Sequence, residues 1–294
     1  MSETSALERL LRRDRAITLI GLMLLCVLAW AYTVSGAGAG MSAWEMTTFS
    51  LFPHSEMAAS PSAPNAMSDM DMAGMPAMPD MQSAPQSWTA ITMFVAVAMW
   101  WVMMIAMMTP SAAPTVLLYA RVWRHAAAQG QIDPQPAPTG PFAAGYLSVW
   151  LLFSAAAASL QWLLVQVGLF NEAMMGSQNR WLSGGLLVAA GLYQLSPLKS
   201  LCLERCRSPT EFLTRNWQPG AGGAFRLGVL HGAYCLGCCW ALMALLFVGG
   251  VMNLIWIAGL TVLVLVEKLA PGGVWVGRAL GAALVGWGAV TLLI

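Results

Sequence analysis

The stretch WTAITMFVAVAMWWVMMIAMMTPSAAPTVLL, Trp88 to Leu118, contains no Asp, Glu, Lys, Arg or His. It exceeds the roughly 20 apolar residues that a membrane-spanning helix needs. A chain that folds in water has no use for such a run, so this stretch decides the fold class: all-α, a polytopic bundle of membrane helices. The whole chain agrees, being 58% hydrophobic and only 9% charged, where soluble domains carry about a quarter charged residues. Six further apolar segments run Ala16 to Val34, Phe142 to Leu169, Trp181 to about Pro197, Phe225 to Val248, Met252 to Val266 and Val274 to Leu293. The segment from Met252 is short, but it leaves its predecessor through only Gly249 to Val251. Seven transmembrane helices are therefore expected.

Charge sets their orientation, because cytoplasmic loops carry an excess of lysine and arginine. With the N-terminus inside, thirteen of the fourteen basic residues fall on the cytoplasmic side: Arg9, Arg12, Arg13, Arg15, Arg121, Arg124, Lys199, Arg205, Arg207, Arg215, Arg226, Lys268 and Arg278. Only Arg180 falls outside. The expected organisation is a cytoplasmic N-terminus (1–15), an uncleaved transmembrane anchor (16–34), an extracytoplasmic arm (35–87) and a six-helix membrane core (88–294) with an extracytoplasmic C-terminus. The arm is rich in Ala, Ser, Pro and Gly without sustained apolar periodicity, which predicts a loosely tethered segment.

Within that arm, MSDMDMAGMPAMPDM places Met67, Met70, Met72, Met75, Met78 and Met81 among Asp69, Asp71 and Asp80. Thioether sulfur prefers Cu(I) or Ag(I) and needs no deprotonation, so a methionine tract can hold a soft metal under acidic, oxidising conditions. The carboxylates and His54 would extend such a site towards Cu(II). The competing reading is a flexible linker, although methionine is not a usual residue of disordered segments.

A second constellation is HGAYCLGCCWALM, His231 to Met243. Helical spacing puts His231, Cys235 and Cys238 on one stripe, with Cys239 four beyond Cys235. Imidazole and thiolates so arranged suit Cu(I) or Zn(II). Counted from Arg226 at about 1.5 Å per residue, Cys235 lies roughly 14 Å into the membrane. Single cysteines in such helices are ordinary packing residues, but ionisable clusters inside a membrane point to function. Gly232 and Gly237 have a second use, since small residues let helices approach closely.

Two more sulfur-bearing segments flank this one. Met103 and Met107, with Met104 and Met108 beside them, form a broad sulfur face on the Trp88–Leu118 helix, read either as core packing against Trp100 and Trp101 or as a rung for a soft metal. Pro110 and Pro114 are expected to bend or break that helix and free backbone carbonyls. Cys202 and Cys206 stand four apart in YQLSPLKSLCLERCRSP, Tyr193 to Pro209, as on one turn of a short interfacial helix following a kink at Pro197. Two thiols are half of a tetrahedral site. None of the six cysteines falls in an extracytoplasmic loop, so they are read as thiols and not as a disulfide scaffold.

These motifs, MWWVMMIAMMTPSAAP (Met99 to Pro114), YQLSPLKSLCLERCRSP and HGAYCLGCCWALMALLFVGGVMNLIWIAGLT (His231 to Thr261), together with EKLAPGG (Glu267 to Gly273), resemble a bacterial family of predicted metal-binding integral membrane proteins, sometimes labelled copper chaperones. The methionine arm is no part of those motifs. The resemblance implies a multi-pass protein of the bacterial inner membrane that handles copper. Its expected partners are the lipid bilayer, the metal ion and a periplasmic copper protein or cuproenzyme, with no nucleic acid. The expected metal is Cu(I), with zinc or no metal as the alternatives. No nucleotide site, aspartyl-phosphate motif or Ser/His/Asp arrangement is present, which favours passive relay over pumping or catalysis. Thiol redox exchange, or assembly of a membrane complex, is the rival reading of the same cysteines.

Overall fold

The computed structural model describes residues 3–36, 43–44, 47, 88–132, 135–171, 176–177 and 179–294. The methionine tract Met67 to Met81 and His54 lie outside the described residues. Ten helices follow one another among the described residues: α1 (Glu3–Val34), α2 (Ala90–Ala128), α3 (Thr139–Gln166), α4 (Arg180–Leu195), α5 (Pro197–Arg207), α6 (Pro209–Asn216), α7 (Gly220–Ala244), α8 (Leu246–Gly249), α9 (Leu254–Leu269) and α10 (Gly273–Leu293). A two-residue antiparallel pair, Phe170 opposite Ser177 and Asn171 opposite Gly176, closes the turn between α3 and α4.

The protein is a multi-pass helical membrane protein. Five helical stretches are long and apolar enough to cross a bilayer, and α4 with α5 makes a sixth if that pair, bent by 61°, is one span. The segment expected from Met252 forms α9, which has 16 residues. The outer surface fits a lipid solvent, since Ile17, Ile20, Met23, Leu24, Val27 and Leu28 all project outward from α1.

The expected break at Pro110 and Pro114 does not occur: α2 runs through both prolines to Ala128. A proline removes the hydrogen bond to the carbonyl four residues earlier, which for Pro110 is that of Ala106. Trp30 on α1 fills the gap by donating its indole N–H to Ala106 O at 3.1 Å, with Cys26 Sγ at 3.9 Å from the same oxygen. A neighbouring helix thus re-satisfies the freed group in a region without water. The bend at Pro197 does occur: Ser196 caps α5 by accepting from Lys199 N–H at 3.2 Å, and Pro197 takes the first helical position, where its missing N–H is harmless.

Helix packing brings the sulfur-bearing segments together. α3 lies along α7 and α4 along α10. The approach of α3 to α7 depends on glycine: a Cβ on Gly228 would stand 2.0 Å from Phe142 O, inside any permissible contact. The main core holds Trp100, Met103, Met104, Met107, Met108 and Trp150 together with Cys235, Cys238 and Cys239. A second, aromatic cluster of Tyr119, Trp123, Phe142 and Phe212 fills the end of the bundle next to His231.

Candidate sulfur cluster

Cys235, Cys238 and Cys239 are each 1% exposed, so whatever they do happens without bulk water. Their shared stripe on α7 faces four other elements. Towards α5, Cys238 Sγ lies 4.0 Å from Cys206 Sγ. Towards α2, Cys239 Sγ lies 3.9 Å from Met108 Sδ. Both thiols also reach back to Cys235 O, at 3.1 Å and 2.9 Å, as short hydroxyl-like donors do on a helix. Cys235 Sγ itself meets two polar groups, the Tyr146 hydroxyl on α3 at 3.1 Å and the Lys268 ammonium of α9, which donates at 2.9 Å.

Further contacts fix these partners. Lys268 Nζ also donates to Ser111 Oγ at 3.2 Å, and Ser111 in turn donates to Met108 O at 2.9 Å. Tyr146 donates to the same Met108 carbonyl at 3.3 Å. The part of α2 next to its prolines therefore supplies a thioether and a carbonyl anchor to the cluster within a few residues. On the other side, a Cβ at Gly237 would stand 2.8 Å from Cys202 Sγ, so the absent side chain is what admits α5 beside α7.

α5 is held there by a buried ionic clasp. Lys199 donates to Glu267 Oε2 at 2.6 Å, with both side chains no more than 3% exposed, and Gln194 bridges the two. Arg207, next to Cys206 in sequence, donates to Glu267 O at 2.5 Å and Ala270 O at 2.8 Å. These bonds cap the C-terminus of α9, whose last carbonyls lack helical partners. They also fix the turn of α5 that carries Cys206.

The sequence-derived candidates separate accordingly. Cys206, Cys235, Cys238, Cys239 and Met108 come together. Met103, Met104 and Met107 are fully buried in the same core. Cys202 is half-buried and lines a cavity of about 320 Å³ with Leu201, Glu204, Arg205, Glu211 and Tyr234. His231 is buried with its ring centroid 5.5 Å from Phe212, 5.7 Å from Tyr146 and 6.1 Å from Phe142. Among the described residues, no group of three or more His, Cys, Asp or Glu side chains is arranged to hold a metal ion. The sulfurs meet as pairs.

Sequence reasoning missed Tyr146, Ser111 and Lys268 as members of this cluster. Lys268 was legible in principle, being one of two adjacent charged residues, Glu267 and Lys268, that interrupt the apolar run of α9. Tyr146 and Ser111 gave no such signal, because a lone hydroxyl in an apolar helix has many possible partners.

A multi-pass bundle whose buried sulfurs converge from three helices defines a class, that of membrane proteins with an internal thiol and thioether cluster. More narrowly, the chain belongs to the family described as copper chaperone, which it matches over residues 97–291. That range holds every sulfur of the cluster and begins after the methionine tract. No curated protein and no solved structure shows significant similarity to the chain.

Proposed function

We propose that this protein holds Cu(I) on paired sulfurs inside the membrane and passes it to an acceptor, without pumping. The observation that carries this reading is the pairing of Cys206 with Cys238 at 4.0 Å and of Cys239 with Met108 at 3.9 Å. One metal about 2.3 Å from each of two sulfurs spans at most roughly 4.6 Å between them. Both pairs fall within that reach, and thiolate and thioether are the donors that select Cu(I). Membership of the copper chaperone family supports the choice of metal. Met103, Met104 and Met107 extend the sulfur surface along α2, His231 stands one turn before Cys235, and Cys202 offers a half-buried thiol at a cavity from which metal can leave.

In this reading the chain crosses the bacterial inner membrane seven times with its N-terminus inside, α9 being a short span supported by its neighbours. Met67 to Met81 then faces the extracytoplasmic side and serves as a capture or delivery surface, with a periplasmic copper protein or cuproenzyme as the exchange partner. Metal analysis of anaerobically purified protein after Cu(I) loading tests the central claim. Retention of copper by a variant lacking residues 41–87, and its loss after Cys206, Cys238 and Cys239 are changed to serine, is the expected result. Equal uptake by the triple serine variant would sink the proposal. The 4.0 Å approach of Cys206 and Cys238 also suits thiol exchange; a mixed disulfide trapped with a partner in the absence of copper would favour that second reading.

A further inference from the structure

Lys268 is 7% exposed, and no carboxylate pairs with it among the described residues. Its sequence neighbour Glu267 gives its carboxylate to Lys199 and Gln194. What surrounds the Lys268 ammonium instead is sulfur and hydroxyl: Cys235 Sγ at 2.9 Å and Ser111 Oγ at 3.2 Å, with Cys206, Cys238 and Cys239 in electrostatic reach. A charge buried this deeply persists only when something of opposite sign answers it. In this cluster the groups able to do so are the cysteine sulfurs.

We propose that Lys268 is the built-in counter-charge of the sulfur site, a positioning residue that makes binding of Cu(I) by more than one thiolate possible in the membrane interior. The inference rests on the copper reading above and deepens it. A Cu(I) ion held by two thiolates carries a net charge of minus one, and an anionic complex is costly in a medium of low dielectric. The lysine ammonium, already in place before metal arrives, brings that charge to zero. Ser111 and Tyr146 aim the parts: the serine hydroxyl accepts from Nζ, and the tyrosine hydroxyl holds Cys235 against the Met108 turn. The opposite role, a cation that merely competes with copper for Cys235, predicts the opposite sign when the charge is removed.

The test uses the full chain purified in detergent without oxygen, with Cu(I) partitioned between protein and a coloured Cu(I) chelator. Lys268→Met removes the charge while keeping the side-chain volume. It is expected to weaken Cu(I) binding by about tenfold or more and to shrink the ultraviolet charge-transfer absorption that reports thiolate–copper bonds. Its thermal stability should stay near that of the wild type, because a cysteine left without its counter-charge can take up a proton and stay buried as a neutral thiol. Lys268→Arg should restore both the binding and the absorption. Lys268→Met that binds Cu(I) as tightly as the wild type, or more tightly, overturns the proposal. Should that variant fail to fold, Ser111→Ala serves instead: a smaller loss in the same direction supports the role, and unchanged or tighter binding overturns it. A wild-type protein that takes no Cu(I) at all is a different failure, since it removes the copper reading itself.

Discussion

Two lysines lie buried at the same end of this bundle, and they are answered in different ways. Lys199 on α5 meets a carboxylate, Glu267 Oε2, at 2.6 Å, and Gln194 completes the contact. Lys268, one residue further along α9 than that glutamate, meets a thiol sulfur at 2.9 Å. The first arrangement is closed: both charges are spent on each other and the pair ties α4, α5 and α9 together. The second is open, because a thiol sulfur can exchange its partner for a soft metal whereas a carboxylate clasped by ammonium and amide cannot do so easily. Adjacent residues on one helix thus face two different settings, a closed ion pair that ties helices together and an ammonium held against sulfur.

Breaking the closed arrangement should cost the most. Glu267→Ala leaves Lys199 buried without its partner, a change worth about 3–5 kcal/mol. A large fall in the thermal midpoint, or loss of monodisperse protein on size-exclusion chromatography, is expected; near-wild-type stability would show that the clasp is not what holds α5. Breaking the sulfur pair beside the open arrangement should spare the fold and weaken Cu(I) binding. Cys238→Ser is expected to reduce Cu(I) affinity by more than about 100-fold, beyond the range typical of groups that only support a ligand. Chelator competition measures it, with helical circular dichroism as the control for folding.

Between these extremes, Gly237→Ala tests the seam that joins the two regions. Its new methyl group would meet Cys202 Sγ at 2.8 Å, so a loss of about 1–3 kcal/mol from overpacking is expected. A weakened Cys206–Cys238 approach should accompany it, read as slower formation of an oxidant-induced disulfide between those two thiols. Met108→Leu keeps volume and should cost less than about 1.5 kcal/mol of stability. Its Cu(I) affinity should still fall, by about tenfold, if the thioether facing Cys239 at 3.9 Å is a ligand. Smallest of all, His231→Phe fits an aromatic surround already built from Phe142, Tyr146 and Phe212. Little change in stability and less than about a tenfold change in Cu(I) affinity are expected; a larger loss would place the imidazole among the ligands.

Much of the helical frame was legible beforehand because membrane helices announce themselves by length and apolarity. The expected segments at Ala16, Trp88, Phe142, Trp181, Phe225, Met252 and Val274 each coincide with a helix among the described residues. The α7 stripe was legible for a similarly local reason, since 3.6-residue periodicity puts Cys235, Cys238 and Cys239 on one side whatever surrounds them. The continuity of α2 was not. Whether Pro110 breaks its helix depends on a donor arriving from elsewhere in the chain, and Trp30 is separated from Ala106 by 76 residues. The pairing of Cys206 with Cys238 needed the bend at Ser196 and the gap at Gly237, two features that act only in combination.

By itself, the sequence determined the kind of molecule and the raw chemistry: an apolar, sparsely charged chain must bury its backbone in membrane helices, and clustered sulfur on one helix face favours soft metals. Only the tertiary structure decided which sulfurs meet and which charge stands beside them. Those choices depend on contacts between residues far apart in the chain, Cys239 with Met108 across 131 positions and Lys268 with Ser111 across 157. Periodicity fixes what lies on one face of a helix, but not which face of another helix comes to lie against it.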